Sequence, residues 1–372
     1  MKFAYFHLMP YTGKKDDTHD WPVANKLFDA NLGKQLYDTY LDSMVQAETA
    51  GFDWIGCNEH HMSPYGMMAN PNLIAATLIP RTSTAKLAIM GQLVPLLNPI
   101  RVAEEYAMLD VMSGGRVVAG LLRGIPHEYV AYNIPPDESH GRLAEAVDLI
   151  VKAWTEPEPF GWEGEFYQYR AVSIWPRPMQ KPHPRIMMSC SNEVSARVAA
   201  QKRAMFALAN LQTFDNARSL IRVYKEEARA CGWEPGPEDI TISLTASVDD
   251  DVDLAKDRLT EGRRYFADVL GGGLRTAQQI VLQKTRYMDD ETRSKFQGAN
   301  KQAKISVDDL IDAGIIVCGT AEMAVAQIKR AHAELGMGNI NINMKVGNIP
   351  DTAIVNQIKI FGEQILPQVK NL

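Results

Sequence analysis

The hydrophobic pattern predicts strands and helices that alternate along the chain. Phe3 to His7 is an apolar run of strand length, and from about Leu32 to Ala50 the apolar residues recur at helical spacing. Segments of these two kinds then follow one another. The eight predicted strands cover residues 3–7, 53–57, 86–94, 117–122, 185–188, 205–209, 240–246 and 340–344.

The clearest pair of elements lies in the stretch that ends at Gly124. Pro99 to Met112 predicts a helix with proline in its first turn, and serine and glycines follow it as a stop signal. Val117 to Leu122 has almost no polar alternation, which indicates a strand covered on both faces in a parallel sheet. The predicted buried face of the helix consists of Ile100, Ala103, Ala107, Met108 and Val111.

Eight pairs of strand and helix predict an α/β protein that folds as one (β/α)8 TIM barrel over residues 1–372. A long, charged and mostly helical interval separates the seventh strand from the eighth, so we expect an insertion at about residues 249–336. Gly161 to Trp175 predicts a hairpin. The alternative is an open doubly wound sheet, but no glycine-rich phosphate turn follows the first strand.

Composition and charge limit the kinds of partner. A net charge of −6 with dispersed lysine and arginine argues against binding to nucleic acid or to an anionic membrane surface. The apolar run after Met1-Lys2 is too short for a signal-peptide core or a membrane span, so we expect a cytoplasmic protein. The four cysteines form no zinc pattern, and we expect them to be reduced. The expected partner is a small molecule.

The residues that follow the strands of such a barrel meet on one rim, where ligand sites are built. The candidates on this rim are Glu59, His60 and His61 after the second strand, Gln92 in the third, Arg123 after the fourth, and Ser189, Ser191 and Asn192 after the fifth. Arg142, near the start of the helix after the fourth strand, can approach the same place.

This set predicts an anion site without a glycine-rich loop. Two guanidinium groups, hydroxyls and the free backbone N–H groups of a helix start would converge on one phosphate. The alternatives are structural. Arginines 123 and 142 can pair with Asp137, Glu138 or Glu145, and serine and asparagine before a helix act as caps.

The paired histidines indicate proton transfer. Because adjacent residues that leave a strand point to opposite sides, only one of His60 and His61 can face the barrel mouth. A single rim histidine is suited to proton transfer near neutral pH. The rival is a metal site that also uses Glu59 and His127, but no other strand end offers Asp, His or Cys, so no metal is predicted. Cys190, beside a helix start, is expected to be a small buried side chain rather than a reactive thiolate.

Several long motifs resemble those of the bacterial luciferase-like flavin monooxygenases, in the family's order. They are AETAGFDWIGCNEHH, PLLNPIRVAEEYAMLDVMSGGRVVAGLLRG, SHGRLAEAVDLI, FYQYRAVSIWPRPMQKPHPRI, CGTAEMAVAQIKRAHAELG and FGEQILPQV. The resemblance implies a (β/α)8 barrel with an insertion after the seventh strand. It also implies a homodimer that binds reduced FMN or, in one branch of the family, the deazaflavin F420.

The resemblance also implies roles for individual residues. Arg123, Arg142, Ser191 and the neighbouring Asn192 match positions that hold the flavin phosphate. The segment Met90, Gly91 and Gln92 matches the strand under the isoalloxazine ring, where the family often has a non-proline cis peptide.

His60 matches the catalytic base of luciferase, and Glu59 is expected either to orient His60 or to form a surface pair. Leu122 departs from luciferase, which has a reactive cysteine at that position.

The function implied is that of a two-component monooxygenase. A separate NAD(P)H:flavin reductase would deliver reduced FMN, which would react with O2 to form a C4a-peroxyflavin that oxygenates a small or medium apolar organic substrate. The alternatives are an F420-dependent oxidoreductase on the same barrel, a non-catalytic flavin-binding protein and a metal-dependent hydrolase. The candidate apolar walls are Tyr11, Met67, Met68, Tyr129 and Trp175, and Gly262 to Lys304 is the expected mobile lid.

Overall fold

The computed structural model describes residues 1–15, 21–284 and 305–372. The strands are β1 (Lys2–Phe6), β2 (Trp54–Cys57), β3 (Lys86–Leu93), β4 (Val117–Leu122), β5 (Phe160–Glu163), β6 (Gln168–Val172), β7 (Arg185–Ser189), β8 (Met205–Leu208), β9 (Ile240–Val248), β10 (Ile316–Gly319) and β11 (Asn339–Asn343). Eight of them form a closed parallel barrel in the order β9-β11-β1-β2-β3-β4-β7-β8, because β8 pairs back with β9. The predicted (β/α)8 fold is confirmed, and β5 and β6 form the predicted hairpin.

Helices cover the outside of the barrel. They are α1 (Ala30–Thr49), α2 (Pro71–Leu78), α3 (Pro99–Met112), α4 (Pro126–Ala131), α5 (Ser139–Thr155), α6 (Glu193–Gln201), α7 (Phe214–Ala230), α8 (Val252–Tyr265), α9 (Gly272–Lys284), α10 (Val307–Ala313), α11 (Ala321–Leu335), α12 (Asp351–Ile360) and α13 (Leu366–Val369). Asn70 and Asn98 each cap a helix that has proline in its first turn. Within the described residues, no helix combines the length and the apolar character needed to cross a bilayer.

The hydrophobic core has two layers, which follow from the alternation of side chains along each strand. A small inner cluster fills the barrel and consists of Ala4, Trp54, Ala88, Val118, Met187 and Met205. The larger cluster lies between the strands and the surrounding helices. Residues of the inner parity therefore point toward the barrel axis, and at the carboxyl ends of the strands they point toward the mouth.

The buried face of α3 differs from the predicted one. Ala103 and Ala107 are buried as expected, but Met108 is 49% exposed and Val111 is 41% exposed. The other buried apolar side chains include Val102, Tyr106 and Leu109. The helix packs on β4, α2 and α5 at once, so its buried stripe is turned relative to the one that the apolar periodicity predicted.

The described parts of the interval, residues 249–284 and 305–336, are mostly helical, and they also contain β10, which the sequence analysis missed. This strand pairs with the second half of β9, with Ile316 opposite Thr245, and lies outside the closed barrel. The expected lid, Gly262 to Lys304, includes α9, and its residues 285–304 lie outside the described residues. The mobile lid therefore stays a prediction.

Two helix starts also differ from expectation. The helix α4 was not predicted at all. The sequence predicts that Asp351 caps the last helix, but Asp351 is the first residue of α12, and Pro350 occupies the capping position. The Asp351 carboxylate instead binds the buried amine of Lys345 at 2.6 Å. A buried cation needs an anionic partner more than a helix end needs a cap.

Candidate active site

The predicted rim residues lie at the carboxyl ends of neighbouring strands. The strands β2, β3, β4 and β7 are adjacent in the barrel, so the segments that follow them share one arc of the rim. His60 follows β2, Arg123 follows β4, and Ser189 ends β7. Since parallel strands are about 4.8 Å apart, the ends of β2 and β4 are about 10 Å apart.

His60 is the histidine that reaches the open side of the rim. Its side chain is 16% exposed, and its Nδ1 lies 3.0 Å from Oε1 of Glu128. The ring packs edge-on against Tyr65, with the ring centroids 4.5 Å apart. Nε2 of His60 makes no hydrogen bond within the part of the chain that the structure describes. This nitrogen is the one that a ligand can approach.

Glu59 neither orients His60 nor forms a surface pair, so both expectations for it are wrong. Its buried carboxylate lies 2.8 Å from Nε2 of His61 and accepts the backbone N–H of Leu93 at 3.1 Å. Burial raises the pKa of Glu59, and the hydrogen bond with His61 opposes this shift. Because His60 and His61 point to opposite sides, the carboxylate behind the strand reaches only the second histidine.

A short helix carries Glu128 into the site. Gly124 follows β4 in the left-handed backbone region, with φ of +95°, and a Cβ there would lie 3.1 Å from Oε2 of Glu128. The same oxygen accepts the backbone N–H of Ile125 at 2.8 Å. The Tyr129 hydroxyl donates to the carbonyl of Arg123. The Arg-Gly turn therefore fixes α4, and α4 fixes Glu128.

The cationic side of the rim begins at Arg123. Its Nη1 donates to the Ser139 hydroxyl at 3.4 Å, which ties the end of β4 to the first residue of α5. Burial lowers the pKa of the neighbouring His140 to about 4, and the charge of Arg123 adds to this shift. His140 is therefore neutral near pH 7, and the positive charge of this corner is that of Arg123.

Arg142 has the ion pair that the structural alternative predicted. Its Nη2 lies 2.7 Å from Oε2 of Glu138, and its guanidinium lies over the ring of Phe166. The side chain is still partly exposed, so an anion at the rim can share it with Glu138. Arg142 therefore contributes less unpaired charge to the rim than its sequence position suggested.

The start of α6 also has a structural role. Oδ1 of Asn192 accepts the backbone N–H of Ser195 at 2.9 Å, which is the capping arrangement of a helix start. Ser191 is exposed, and Ser189 is half-buried at the end of β7. The two serine hydroxyls and the helix start thus lie beside β4, on the same side of the rim as Arg123.

The end of β3 contains the non-proline cis peptide that the family resemblance implied, between Met90 and Gly91. The backbones of β3 and β4 approach closely here, since a Cβ on Gly91 would lie 2.6 Å from the carbonyl oxygen of Gly120. Gln92 is turned outward, and its Nε2 donates to Glu105 of α3 at 3.1 Å. The Gln92 amide therefore faces α3 rather than the mouth.

An open pocket of about 340 Å³ lies beside His60. Gly66 lines this pocket, and a Cβ on Gly66 would lie 3.8 Å from the Cβ of His60. Tyr11 and Met67, both candidate walls, line it as well. The rest of the lining is mostly apolar and includes Leu27, Phe28, Tyr37 and Met62.

The other three candidate walls do not line this pocket. Met68 and Tyr129 are fully buried in the core. Trp175 is 86% exposed, because it lies on the bridge between the hairpin and β7 rather than at the mouth. All three were expected to line the barrel mouth, but the sequence contained no information about the path of the segments that connect the strands and helices.

Two other candidate groups, His127 and Cys190, are buried. Burial lowers the pKa of His127 to about 4, and its Nε2 lies 3.2 Å from the carbonyl of His61. Burial raises the pKa of the Cys190 thiol to about 12, so the expected small buried cysteine is confirmed. The described ranges contain no group of three or more His, Cys, Asp or Glu side chains that could hold a metal ion.

A sequence profile described as "Luciferase-like monooxygenase" matches residues 17–338. The chain belongs to the luciferase-like monooxygenase family. The matched range includes every predicted site residue. The prediction of an oxidoreductase of this monooxygenase class is therefore confirmed.

Two relatives illustrate the range of similarity. A stretch of 179 residues is 34% identical to the uncharacterized protein y4wF of Sinorhizobium fredii, and it spans 47% of this chain and 52% of that protein. The alkanal monooxygenase alpha chain of Aliivibrio fischeri is 24% identical over 331 residues, which span 86% of this chain and 90% of that protein. The higher identity is thus limited to about half the length of y4wF.

Three solved structures share the fold. The monooxygenase RslO1 from Streptomyces bottropensis is 25% identical, with a TM-score of 0.76 over 99% of each chain. The oxygenating constituent of 3,6-diketocamphane monooxygenase from Pseudomonas putida, solved in complex with FMN, is 18% identical with a TM-score of 0.75 over 99% of each chain. An F420-dependent secondary alcohol dehydrogenase is 18% identical with a TM-score of 0.70, covering 99% of this chain and 98% of that one. At 18% identity, the similarity to the last two structures shows only that the fold is shared.

Asn58 is a candidate site residue that the sequence analysis missed. It follows β2 with the parity of Trp54, which points into the barrel. Its side chain is buried, and neither amide atom has a hydrogen-bond partner among residues 1–15, 21–284 and 305–372. A buried amide without a protein partner costs about 1–3 kcal/mol, so it is a candidate ligand contact. The signal was present in the sequence as a polar residue at an inward position just after a buried strand.

We expect Asn58→Leu to raise the free energy of unfolding of the flavin-free protein by about 1–3 kcal/mol, because leucine has a similar volume and no polar atoms to desolvate. Urea unfolding followed by circular dichroism measures this change. Asn72→Leu is the matched control, since this buried asparagine donates to Glu105 at 2.7 Å and its replacement removes a partner. The two variants should shift stability in opposite directions, and a loss of stability in Asn58→Leu would contradict the assignment.

Proposed function

We propose that this chain is the oxygenase component of an FMN-dependent two-component monooxygenase. The observation that carries the proposal is the order of groups along one arc of the rim. His60, whose Nε2 has no hydrogen bond among the described residues, follows β2, and the backbone of Gly91 in β3 lies close to that of Gly120 in β4. Arg123 follows β4, and the start of α6 follows β7. This order suits a molecule with a flat ring at one end and a phosphate about 10 Å away.

The chain's own residues then have distinct tasks. Arg123 and Arg142 bind the phosphate, and Ser189, Ser191 and Asn192 complete that end. Met90 and Gly91 present backbone to one face of the ring. His60 holds or removes a proton at Nε2, next to the reacting part of the ligand.

The oxygen chemistry belongs to the cofactor. When bound, reduced FMN would supply it through a C4a-peroxyflavin formed with O2. The pocket beside His60 would receive a small or medium apolar organic substrate, since aromatic and aliphatic side chains line most of it. Its apolar walls would also exclude water, which otherwise releases hydrogen peroxide from such sites.

The test is anaerobic titration of the purified chain with reduced FMN, followed by mixing with oxygenated buffer while the absorbance is recorded. Tight binding and a long-lived oxygenated flavin would support the proposal. Binding of reduced FMN without any oxygenated flavin after mixing would favour the non-catalytic alternative.

We also propose that a separate NAD(P)H:flavin reductase supplies the reduced FMN. This proposal is supported by the 3,6-diketocamphane monooxygenase, whose oxygenating constituent shares the fold.

Reduced F420 is the second cofactor to titrate, because an F420-dependent dehydrogenase shares the fold. The acidic tail of F420 is longer than that of FMN and needs more positive charge at the rim. Arg142 is already paired with Glu138, which makes the rim less suited to such a tail. Tight binding of F420 together with weak binding of FMN would overturn the FMN proposal.

We further propose a homodimer that forms through α2 and α3. These two helices pack on each other and expose several apolar side chains. They are Leu73, Met108, Val111 and Met112. Several exposed apolar side chains on two helices that pack together are typical of a protein–protein contact.

We expect Met108→Asp to convert the dimer into a monomer, because it places a charge in the middle of that surface. Light scattering coupled to size-exclusion chromatography measures the mass. Val355→Asp is the control, since Val355 is also exposed but lies on α12. A monomeric unmodified protein, or a dimer that survives Met108→Asp, would contradict the proposal.

A further inference from the structure

Glu128 is a fully buried carboxylate whose two oxygens have different partners. Oε2 accepts the backbone N–H of Ile125 at 2.8 Å, and Oε1 lies 3.0 Å from Nδ1 of His60. Nε2 of His127 is 3.8 Å from Oε1, which is beyond hydrogen-bond distance. Glu128 therefore has one hydrogen bond that fixes its own position and one that reaches His60.

The chemistry of a carboxylate decides the direction of the second hydrogen bond. An ionised carboxylate only accepts hydrogen bonds, and its burial is tolerated where N–H groups bind it. The backbone N–H of Ile125 is one such donor, so Nδ1–H of His60 is the second. In a neutral imidazole, a proton on Nδ1 leaves Nε2 as an acceptor.

We propose that Glu128 is a positioning residue that holds His60 in the tautomer with its proton on Nδ1, and thereby presents an unprotonated Nε2 to the ligand. The kinetic consequence rests on the proposed function, in which His60 is the proton-transfer group. Tyr65 packs on the ring, and the backbone N–H of His60 donates to the carbonyl of Met68 at 3.2 Å. These contacts hold the ring so that only one of its nitrogens meets Glu128.

The turn after β4 connects this pair to the cationic side of the rim. Gly124 lets the chain turn so that Ile125 reaches Glu128, and the carbonyl of Arg123 accepts the Tyr129 hydroxyl. Arg123 and Glu128 therefore lie at the two ends of one six-residue segment, residues 123–128. A shift of this backbone would move the guanidinium and the carboxylate together.

Glu128→Gln is the most direct test because it keeps the size of the side chain and changes one oxygen into an NH2 group. The amide oxygen is needed to accept the N–H of Ile125, so the NH2 group faces His60. NH2 only donates, which makes Nδ1 of His60 the acceptor and moves the proton to Nε2. The tautomer is expected to invert while the protein stays folded.

Long-range 1H–15N spectra of flavin-free protein labelled in histidine report the tautomer of each ring, at about pH 8.5 where a free imidazole is neutral. The His60 signals are assigned by their loss in His60→Gln. We expect the proton on Nδ1 in the unmodified protein and on Nε2 in Glu128→Gln. Glu59→Gln is the matched control, since Glu59 binds His61 and its replacement should leave the His60 signals in place.

A proton on Nε2, or on both nitrogens, in the unmodified protein would overturn the proposal, as would an unchanged tautomer in Glu128→Gln. These spectra need neither flavin nor substrate, so they decide the matter even if the monooxygenase proposal fails. In the active enzyme, we expect Glu128→Gln to lower kcat by about 10- to 100-fold with KM little changed. A rise in KM at constant kcat would instead indicate a binding role and count against positioning.

Discussion

His60→Ala is expected to lower kcat for oxygenation by about 100- to 10,000-fold, while reduced FMN still binds. General acid–base groups contribute factors of this size, and no second histidine reaches the mouth from the same strand end. His61 points to the opposite side and is bound by Glu59 and by the Tyr132 hydroxyl. The variant should therefore retain the cofactor site and lose the proton-transfer step.

Stopped-flow absorbance and product analysis measure this effect, with hydrogen peroxide release as the second readout. If the proton step fails, more of the reduced flavin should end as peroxide and less as oxygenated product. His183→Ala is the control, because His183 lies on the proline-rich bridge and contacts Trp154 rather than the mouth. A kcat within a few-fold of the unmodified enzyme would remove His60 from the mechanism.

Arg123→Ala is expected to weaken the binding of reduced FMN by about 10- to 150-fold. A hydrogen bond to a charged group is worth about 1.5–3 kcal/mol, and each 1.4 kcal/mol is tenfold in affinity. Arg142→Ala should also weaken binding, because its partly exposed guanidinium lies at the same rim and an anion there can share it with Glu138.

Anaerobic fluorescence titration measures both affinities, and salt should weaken binding less in the variants than in the unmodified protein. Arg222→Ala is the matched control, since Arg222 is an exposed arginine of α7 that pairs with Glu226. Unchanged affinity in Arg123→Ala would refute the phosphate assignment.

Local signals predicted most of the elements that build the barrel. Pro99–Met112 and Val117–Leu122 have the predicted bounds, because a capped helix start, a glycine stop and a continuous apolar run are all local features. The strand β10 was missed because four residues inside a charged interval carry too little periodicity to be seen. The buried face of α3 was mispredicted because the prediction assigned every apolar position to the core, whereas Met108 and Val111 lie on the exposed side of the helix.

The sequence predicted which side chains lie at the rim better than it predicted which of them bind each other. The sequence placed Glu59, His60 and His61 at one strand end, but only the folded chain shows that Glu59 binds the second histidine. Glu128 was missed although Ile125-Pro126 with an acidic residue in the first turn is a helix-start signal. Trp175, a predicted wall of the mouth, is exposed instead.

The sequence by itself determined the barrel, the rim residues and, through its motifs, the luciferase-like family, because strand parity and capping act over a few neighbouring residues. Only the tertiary structure decided which carboxylate meets which histidine, and that the Asn58 amide is buried without a described partner. His60 and Glu128 are 68 positions apart. Their contact depends on the spacing of β2 and β4 around the closed barrel and on the position of α4. No local sequence pattern contains that information.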